Sequence, residues 1–361
     1  HMTGEITDTD QGEGVHRIGR PVTIRDVAEA SGVSPATVSR ALNGSGPTNP
    51  EVRRRILETS QRLGYTGNRF ARGLRSKRTK TIGLLSYDLS NETQLLVLRG
   101  AQREIGAAGY TLLIADGEGS VAVQGRQLES LLEHQVDGVI LSGPVRAPRN
   151  AFDRLVEADI PFIPRFLSDE DRYKRFRLSG ELLAHREAFE MLADEGHERF
   201  GFVIPKWGAS DQYSAITQSR LEALVSVLQS RGLKDEGLVV RSGSSNDLVP
   251  LLTAPDRPTA LIAATHSVLP MTFEACRLAR LTIPGDISLV GYGNSIWIAA
   301  LNPPASIISR DMETEGRMYA TTLLRHLAGE DLDLDVPFLP SSFKRTDSCG
   351  PAPSRPSKVL S

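Results

Sequence analysis

The chain has 361 residues, 40% of them hydrophobic and 24% charged, with a formal net charge of −2. That composition belongs to a folded protein of two or three domains and excludes a wholly disordered one. Two lone cysteines, Cys276 and Cys349, exclude a disulfide-built scaffold and a cysteine metal site, and the absence of a long apolar run leaves no expected transmembrane helix.

Residues 1–20, HMTGEITDTDQGEGVHRIGR, are polar and lack an apolar core. They read as a disordered tail behind a cloning scar, His1-Met2, with no secretory signal, so a cytoplasmic location is expected. The small net charge hides an asymmetry: residues 17–80 carry +10, residues 1–16 carry −4 and residues 81–361 carry −8. A small basic unit joined to a large acidic one points to a polyanionic partner, usually nucleic acid, against the bland alternative of a solvated basic face.

Residues 21–66 read as three short helices. Thr23 with Asp26 three residues on forms a capping-box pattern, and Ile24, Val27 and Ala28 share one apolar face. Gly32 ends this helix. Ser34 caps a second, with Pro35 at its first position and Val38 and Leu42 facing inward. Asn43–Pro47 is a loop, and Asn49-Pro50-Glu51 starts a third helix that buries Val52, Ile56 and Leu63. Helix, tight glycine turn, helix is the helix-turn-helix pattern, whose second helix enters a DNA major groove. Ala36 and Arg40 share its open face, where a guanidinium can donate to guanine O6 and N7. Thr37 and Ser39 can donate to phosphates.

These residues also carry a resemblance. TIRDVAEASGVSPATVSRALNG, NPEVRRRILETSQRLGY and NRFARGLRSKRTKTIGLL closely resemble the N-terminus of the lactose/galactose repressor (LacI/GalR) family of bacterial transcriptional regulators. The resemblance implies that Pro35, Ala36 and Arg40 read bases and that Thr23, Ser34, Thr37, Ser39 and Asn43 contact the DNA backbone. It implies that residues 67–80 form a hinge, helical over about Asn68–Ser76, lying in the minor groove. Leu74 matches the leucine wedged into the central base step, and Ala71 its small companion. A wedge of this kind costs a few kcal/mol of unstacking and bends the duplex, while Arg72, Arg75, Lys77 and Arg78 can hold flanking phosphates. Gly73 is a poor helix residue, costing about 1 kcal/mol against Ala, so helix formation here is expected only on DNA.

The remainder alternates strand and helix. Expected strands are 81–87, 111–116, 136–143, 160–166, 199–205, about 237–241, 259–264 and 286–293. Helices are expected at about 92–108, 125–134, 151–158, 181–195, 211–231 and 267–279. Alternating βα units mean parallel sheets covered by helices. Two sets suggest two doubly wound subdomains, with a ligand crevice at the carboxyl ends of their strands. The expected fold is therefore α/β: a three-helix DNA-binding domain plus a two-subdomain, periplasmic-binding-protein-like core over 81–349. Its first subdomain takes in about 81–180 and 309–336, its second about 181–308 and 337–349. IGLLSYDLSN, VDGVILSG, EGHERFGFV, SRLEAL, PTALIAA, IPGDISLVGYG and LPSSFKRTDS extend the resemblance to residue 348. Residues 350–361 are expected to be a disordered tail without a tetramer-forming heptad, so the resemblance implies a homodimer, acting at the nucleoid.

The effector pocket departs from the family pattern. Its Asp-Asn pair is here Ser179-Gly180, its Asn-Asp pair Thr265-His266, its Asp pair Gly293-Asn294 and its Gln Arg310. An Asp near the end of the fourth strand gives way to Phe166, and Glu92-Thr93-Gln94 stands where an aromatic pair is expected; Arg220 is retained. Acceptors are lost and donors kept. Asp88, Arg165, Ser179, Arg220, His266, Asn294 and Arg310 are the candidate effector contacts. Two readings stay open: an anionic effector such as a sugar phosphate or sugar acid, for which planar guanidinium groups are suited, or a degenerate pocket whose arginines pair internally, under control of a protein partner or of no ligand. No cofactor, metal site or catalytic constellation is expected: there is no GxxxxGK[ST], no GxSxG, and no ligand spacing among His185, His197 and His266. A pure solute-binding protein predicts a signal peptide and no basic head.

Overall fold

The computed structural model describes residues 22–43, 47–65, 78–143, 145, 147–163, 180–206, 215–334, 336 and 338–354. The chain divides into two units, one ending at Lys77 and the other starting at Arg78.

The first unit holds α1 (Ile24–Ser31), α2 (Pro35–Asn43) and α3 (Pro50–Leu63). Each boundary has a local cause. Thr23 donates from both its backbone N and its Oγ1 to Asp26 Oδ2 at 2.7 Å, fixing the start of α1. Gly32 ends it at φ 66°, where Val33 N reaches Ala28 O. Ser34 Oγ accepts from Thr37 N at the start of α2, and Asn49 Oδ1 accepts from Glu51 N at the start of α3. Val27, Ala28, Val38, Ala41 and Ile56 form the core between the three helices. Leu42, expected to face inward, is only partly buried.

The second unit has two lobes. The first sheet runs β2-β1-β3-β4, with β1 (Thr81–Ser86), β2 (Thr111–Asp116), β3 (Gly138–Ser142) and β4 (Phe162–Ile163) all parallel. Interleaved are α4 (Glu92–Ala107), α5 (Val121–Glu133) and α6 (Arg149–Glu157). The second sheet runs β10-β9-β8-β7-β5-β6. It is built from β5 (Phe200–Pro205), β6 (Val239–Ser242), β7 (Ala260–Ala263), β8 (Ser288–Tyr292), β9 (Ser306–Ser309) and β10 (Ser342–Lys344), the last antiparallel to β9. Around it lie α7 (Glu181–Asp194), α8 (Ala215–Ser230), α9 (Ser245–Thr253) and α10 (Val268–Leu278). After β9 the chain returns to the first lobe as α11 (Met312–Leu327). There α11 lies against α4 so closely that a Cβ on Gly100 would stand 2.0 Å from Glu313 O, and one on Gly316 2.1 Å from Val97 O. Glycine is required where two helix backbones touch.

The expected βα alternation is present, with corrections. α9, β9, α11 and β10 are additional to the expected series. The fourth strand is two residues of the expected 160–166, and residues 164–166 lie outside those described. Residues 78–80 belong to the first lobe, not to a free linker. Thr79 N and Lys80 N donate to the Asp137 carboxylate, and Arg78, expected on a phosphate, donates from Nη1 to Leu327 O at the end of α11. The tail does not begin at 350: Gly350 N donates to Ser288 Oγ and Ala352 N to Glu195 O.

His197 holds that C-terminal segment to the second sheet. Its Nδ1 is 3.0 Å from Thr259 Oγ1, and its Nε2 is 3.0 Å from Ser288 Oγ and 3.1 Å from Gly350 O. Burial lowers its pKa below the usual 6.5, against smaller upward pulls from the Gly350 carbonyl and Glu195. Below about pH 6.5 the unfolded chain therefore binds a proton that the folded chain refuses, and stability falls as pH drops toward the folded value. Thermal unfolding of His197→Asn, set beside wild type between about pH 7.5 and pH 5, is expected to show a lower but flatter midpoint curve. Parallel curves would show that His197 does not carry the slope.

Candidate nucleic-acid interface and ligand cleft

On α2 the buried and open faces are sharply divided. Val38 and Ala41 are buried against α1 and α3, while Ser34, Pro35, Ala36 and Arg40 are exposed. Thr37 and Ser39 are half-buried beside them. Ser34 Oγ lies 2.9 Å from Thr37 Oγ1, so the two hydroxyls stand together at the helix start, where the helix dipole favours an anion. Asn43 closes the helix. From α3, Arg53 Nε donates to Ala41 O at 3.3 Å, answering a carbonyl in the last turn of α2. The sequence reading missed this contact; nothing local to α2 signals it. Thr23 is exposed at the start of α1. Asn68, Ala71, Arg72 and Leu74 lie outside the described residues.

In the second unit the strand ends of both lobes carry polar groups. Asp88 follows β1 and accepts from Ser90 N at 2.8 Å; Asp116 ends β2 and accepts from Leu89 N and Glu118 N, organising its own loop. From the second lobe, Arg220 on α8 is 5% exposed. Its Nη1 donates to Ala264 O at 2.8 Å, and its guanidinium carbon sits 3.7 Å from the Tyr292 ring centroid. Tyr292 also stacks on His185, 5.9 Å between ring centroids. Carbonyl and ring together fix the plane of this guanidinium.

His266 follows β7. Burial lowers its pKa, Glu92 and Asp88 of the first lobe pull it up, and Arg220 pushes it down. Groups from both lobes thus act on one imidazole. Gly293, at φ 146°, would place a Cβ 3.3 Å from His266 Cβ. Asn294 is exposed. Across the lobes, Trp297 Nε1 donates to Glu92 Oε2 at 2.9 Å.

Arg310 is engaged differently from the sequence expectation. Its Nε is 3.0 Å from Glu315 Oε2, both side chains are almost fully buried, and Tyr319 Oη donates to Glu315 Oε1 at 2.8 Å. Its guanidinium also lies 5.1 Å from the Phe338 ring centroid. The pairing is internal, with an acid other than Asp88, Asp116 or Glu118. Arg165 and Ser179 lie outside the described residues. Among the described residues, no group of three or more His, Cys, Asp or Glu could hold a metal ion, and no helix is long and apolar enough to cross a membrane.

Comparison with known proteins bears on both units. Residues 23–68 match the model of "Bacterial regulatory proteins, lacI family", and residues 189–349 that of "Periplasmic binding protein-like domain". Catabolite control protein A of Priestia megaterium is 26% identical over 329 residues, covering 88% of this chain and 96% of its own. The ribose operon repressor of Haemophilus influenzae is 27% identical over 317 residues, 84% of this chain and 92% of its own. A crystal structure of the Lac repressor dimer bound to operator and the anti-inducer ONPF superposes with a TM-score of 0.75 at 21% identity, covering 92% of this chain and all of that one. Those relatives are regulators of transcription, not enzymes. A helix-turn-helix domain of the lacI type in front and a periplasmic-binding-protein-like domain behind thus make up the chain, which is similar along nearly its whole length to DNA-binding transcriptional regulators of the lacI family.

Proposed function

We propose that the protein is a repressor that binds a pseudo-palindromic operator as a homodimer and is switched by a small molecule in the cleft between its lobes. The observation that carries the DNA reading is the open face of α2, where Pro35, Ala36 and Arg40 stand clear above a fully packed inner face. Two copies place one such helix in each half-site, with Thr23, Ser34, Thr37, Ser39 and Asn43 on the backbone and the hinge residues Asn68, Ala71, Arg72 and Leu74 at the centre. Closure or opening of the cleft changes the spacing of the first lobes and so biases the hinge.

For the effector, the anionic reading loses a donor, because Arg310 answers Glu315. His266 lies within electrostatic reach of Asp88 and Glu92 from the first lobe and of Arg220 from the second. A donor-plus-acceptor set of this kind suits a hydroxyl-rich ligand better than a phosphate.

The test is selection of bound DNA from a random pool by the full-length protein, repeated with metabolite extract. A two-fold symmetric site whose recovery changes with extract is the expected result. No enriched site in either condition overturns the DNA reading. An enriched site indifferent to extract, together with no thermal shift from neutral or phosphorylated sugars, overturns the effector reading and favours control by a protein partner or by no ligand.

A further inference from the structure

Glu92 stands in the first turn of α4 in the first lobe, and Trp297 in the 3-10 turn Ile296–Ala300 that follows β8 in the second. They are 205 residues apart in sequence, yet indole Nε1 donates to the carboxylate at 2.9 Å. Each partner is anchored to its own lobe. The Asn91 side chain accepts from Thr93 N at the start of α4, and the same helix is held against α11 at backbone contact. Trp297 packs on the second lobe's core with Ile298, Leu289 and Val268. With both ends fixed, the bond persists only while the lobes keep their present spacing. It lies next to the groups that converge on the cleft, since His266 is within electrostatic reach of Glu92, Asp88 and Arg220.

We propose that the Glu92–Trp297 hydrogen bond is the latch of the cleft, holding the two lobes at this spacing and parting when they separate to admit or release a ligand. A single charge-assisted bond at a half-exposed rim suits this use, because it can bias a two-state equilibrium without locking it. It also gives a use to a residue left unexplained by the family pattern. Glu92 stands where an aromatic side chain is expected, and here the aromatic ring comes from the opposite lobe. The inference rests on reading the cleft as an effector site only for its consequence; the latch itself is measured without ligand.

The test uses full-length protein with spin labels on Glu133→Cys in the first lobe and Ser226→Cys in the second, both exposed positions. The native cysteines are buried, with the Cys276 thiol pushed up to about 12 and Cys349 raised by burial as well, so labelling goes to the introduced sites. Inter-label distances are read by pulsed electron resonance in this background, with Trp297→Phe, with Glu92→Ala and with Glu92→Gln. Trp297→Phe keeps an aromatic ring and removes the donor; Glu92→Gln keeps an acceptor. The expected result is a shift to longer and broader distances in Trp297→Phe and Glu92→Ala, and a smaller shift in Glu92→Gln. Unchanged distances in Trp297→Phe and Glu92→Ala overturn the latch. So does an equal shift in Glu92→Gln and Glu92→Ala, which would assign the effect to charge at the helix end. A failed effector screen would count against the effector reading and leave these distances as they stand.

Discussion

Arg40→Ala is expected to weaken operator binding by about 1–3 kcal/mol per half-site, roughly 5- to 150-fold, and to relax one base position symmetrically in both half-sites. The size follows from what a guanidinium does at a base edge: two parallel N–H donors meet guanine O6 and N7, and no other base pair offers that pair of acceptors in the major groove. Position 40 is exposed, on the face of α2 away from Val38 and Ala41, so truncation removes no core contact. Unfolding of the first unit should therefore stay within about 0.5 kcal/mol of wild type. Arg40→Lys separates charge from geometry. It keeps the cation for the phosphate field but loses the fork, so affinity should fall less than discrimination. The check is a binding series against operators altered one base at a time. An Arg40→Ala protein that ranks those operators as wild type does would remove Arg40 from base reading and leave it a general cation.

Much of the first unit is legible in sequence because its determinants are local. The Thr23–Asp26 cap, the glycine at 32 and the Ser34-Pro35 start each act within a turn of the chain, and the structure shows each as a bond or a backbone angle. The second unit is legible where short continuous apolar runs alternate with helices, and the expected series stops at β8. α11 was readable on the same terms. Asp311 caps it, Glu313 and Glu315 lie in its first turn, Arg325 and His326 lie in its last, and Met312, Tyr319, Ala320, Leu323 and Leu327 give a continuous inner face. α9 is harder, because Pro250 sits inside it and masks the Ser244–Asp247 capping box. The cleft is least legible, since its geometry depends on pairs such as Trp297–Glu92 that no window of sequence contains. Arg310 shows the opposite failure. Its partner lies only five residues ahead, but the cue was the residue type expected at 310 in relatives, and burial cannot be read from type.

The buried Arg310–Glu315 pair carries the largest expected effect on stability. Glu315→Ala leaves a guanidinium in a site where its own side chain is 8% exposed, and Arg310→Met leaves a carboxylate whose side chain is 3% exposed. Either change is expected to cost about 3–5 kcal/mol, because breaking a buried pair strands a charge. The double change Arg310→Met with Glu315→Gln removes both charges and keeps an oxygen to accept from Tyr319 Oη, which donates to Glu315 at 2.8 Å. It should recover most of the loss, since the desolvation penalty of the pair disappears with the pair. Urea midpoints of wild type, Arg310→Met, Glu315→Gln and the double variant close the cycle, with Glu315→Ala measured beside them. The location makes the outcome informative beyond stability: Arg310 follows β9 of the second lobe, Glu315 and Tyr319 belong to α11 of the first, and Phe338 lies on the return toward β10. The pair therefore sits where the chain passes between lobes. If Arg310→Met instead unfolded like wild type and lost only its response to metabolite extract, the arginine would be an effector ligand, as its position in the family pattern implies, and the internal pairing would be incidental.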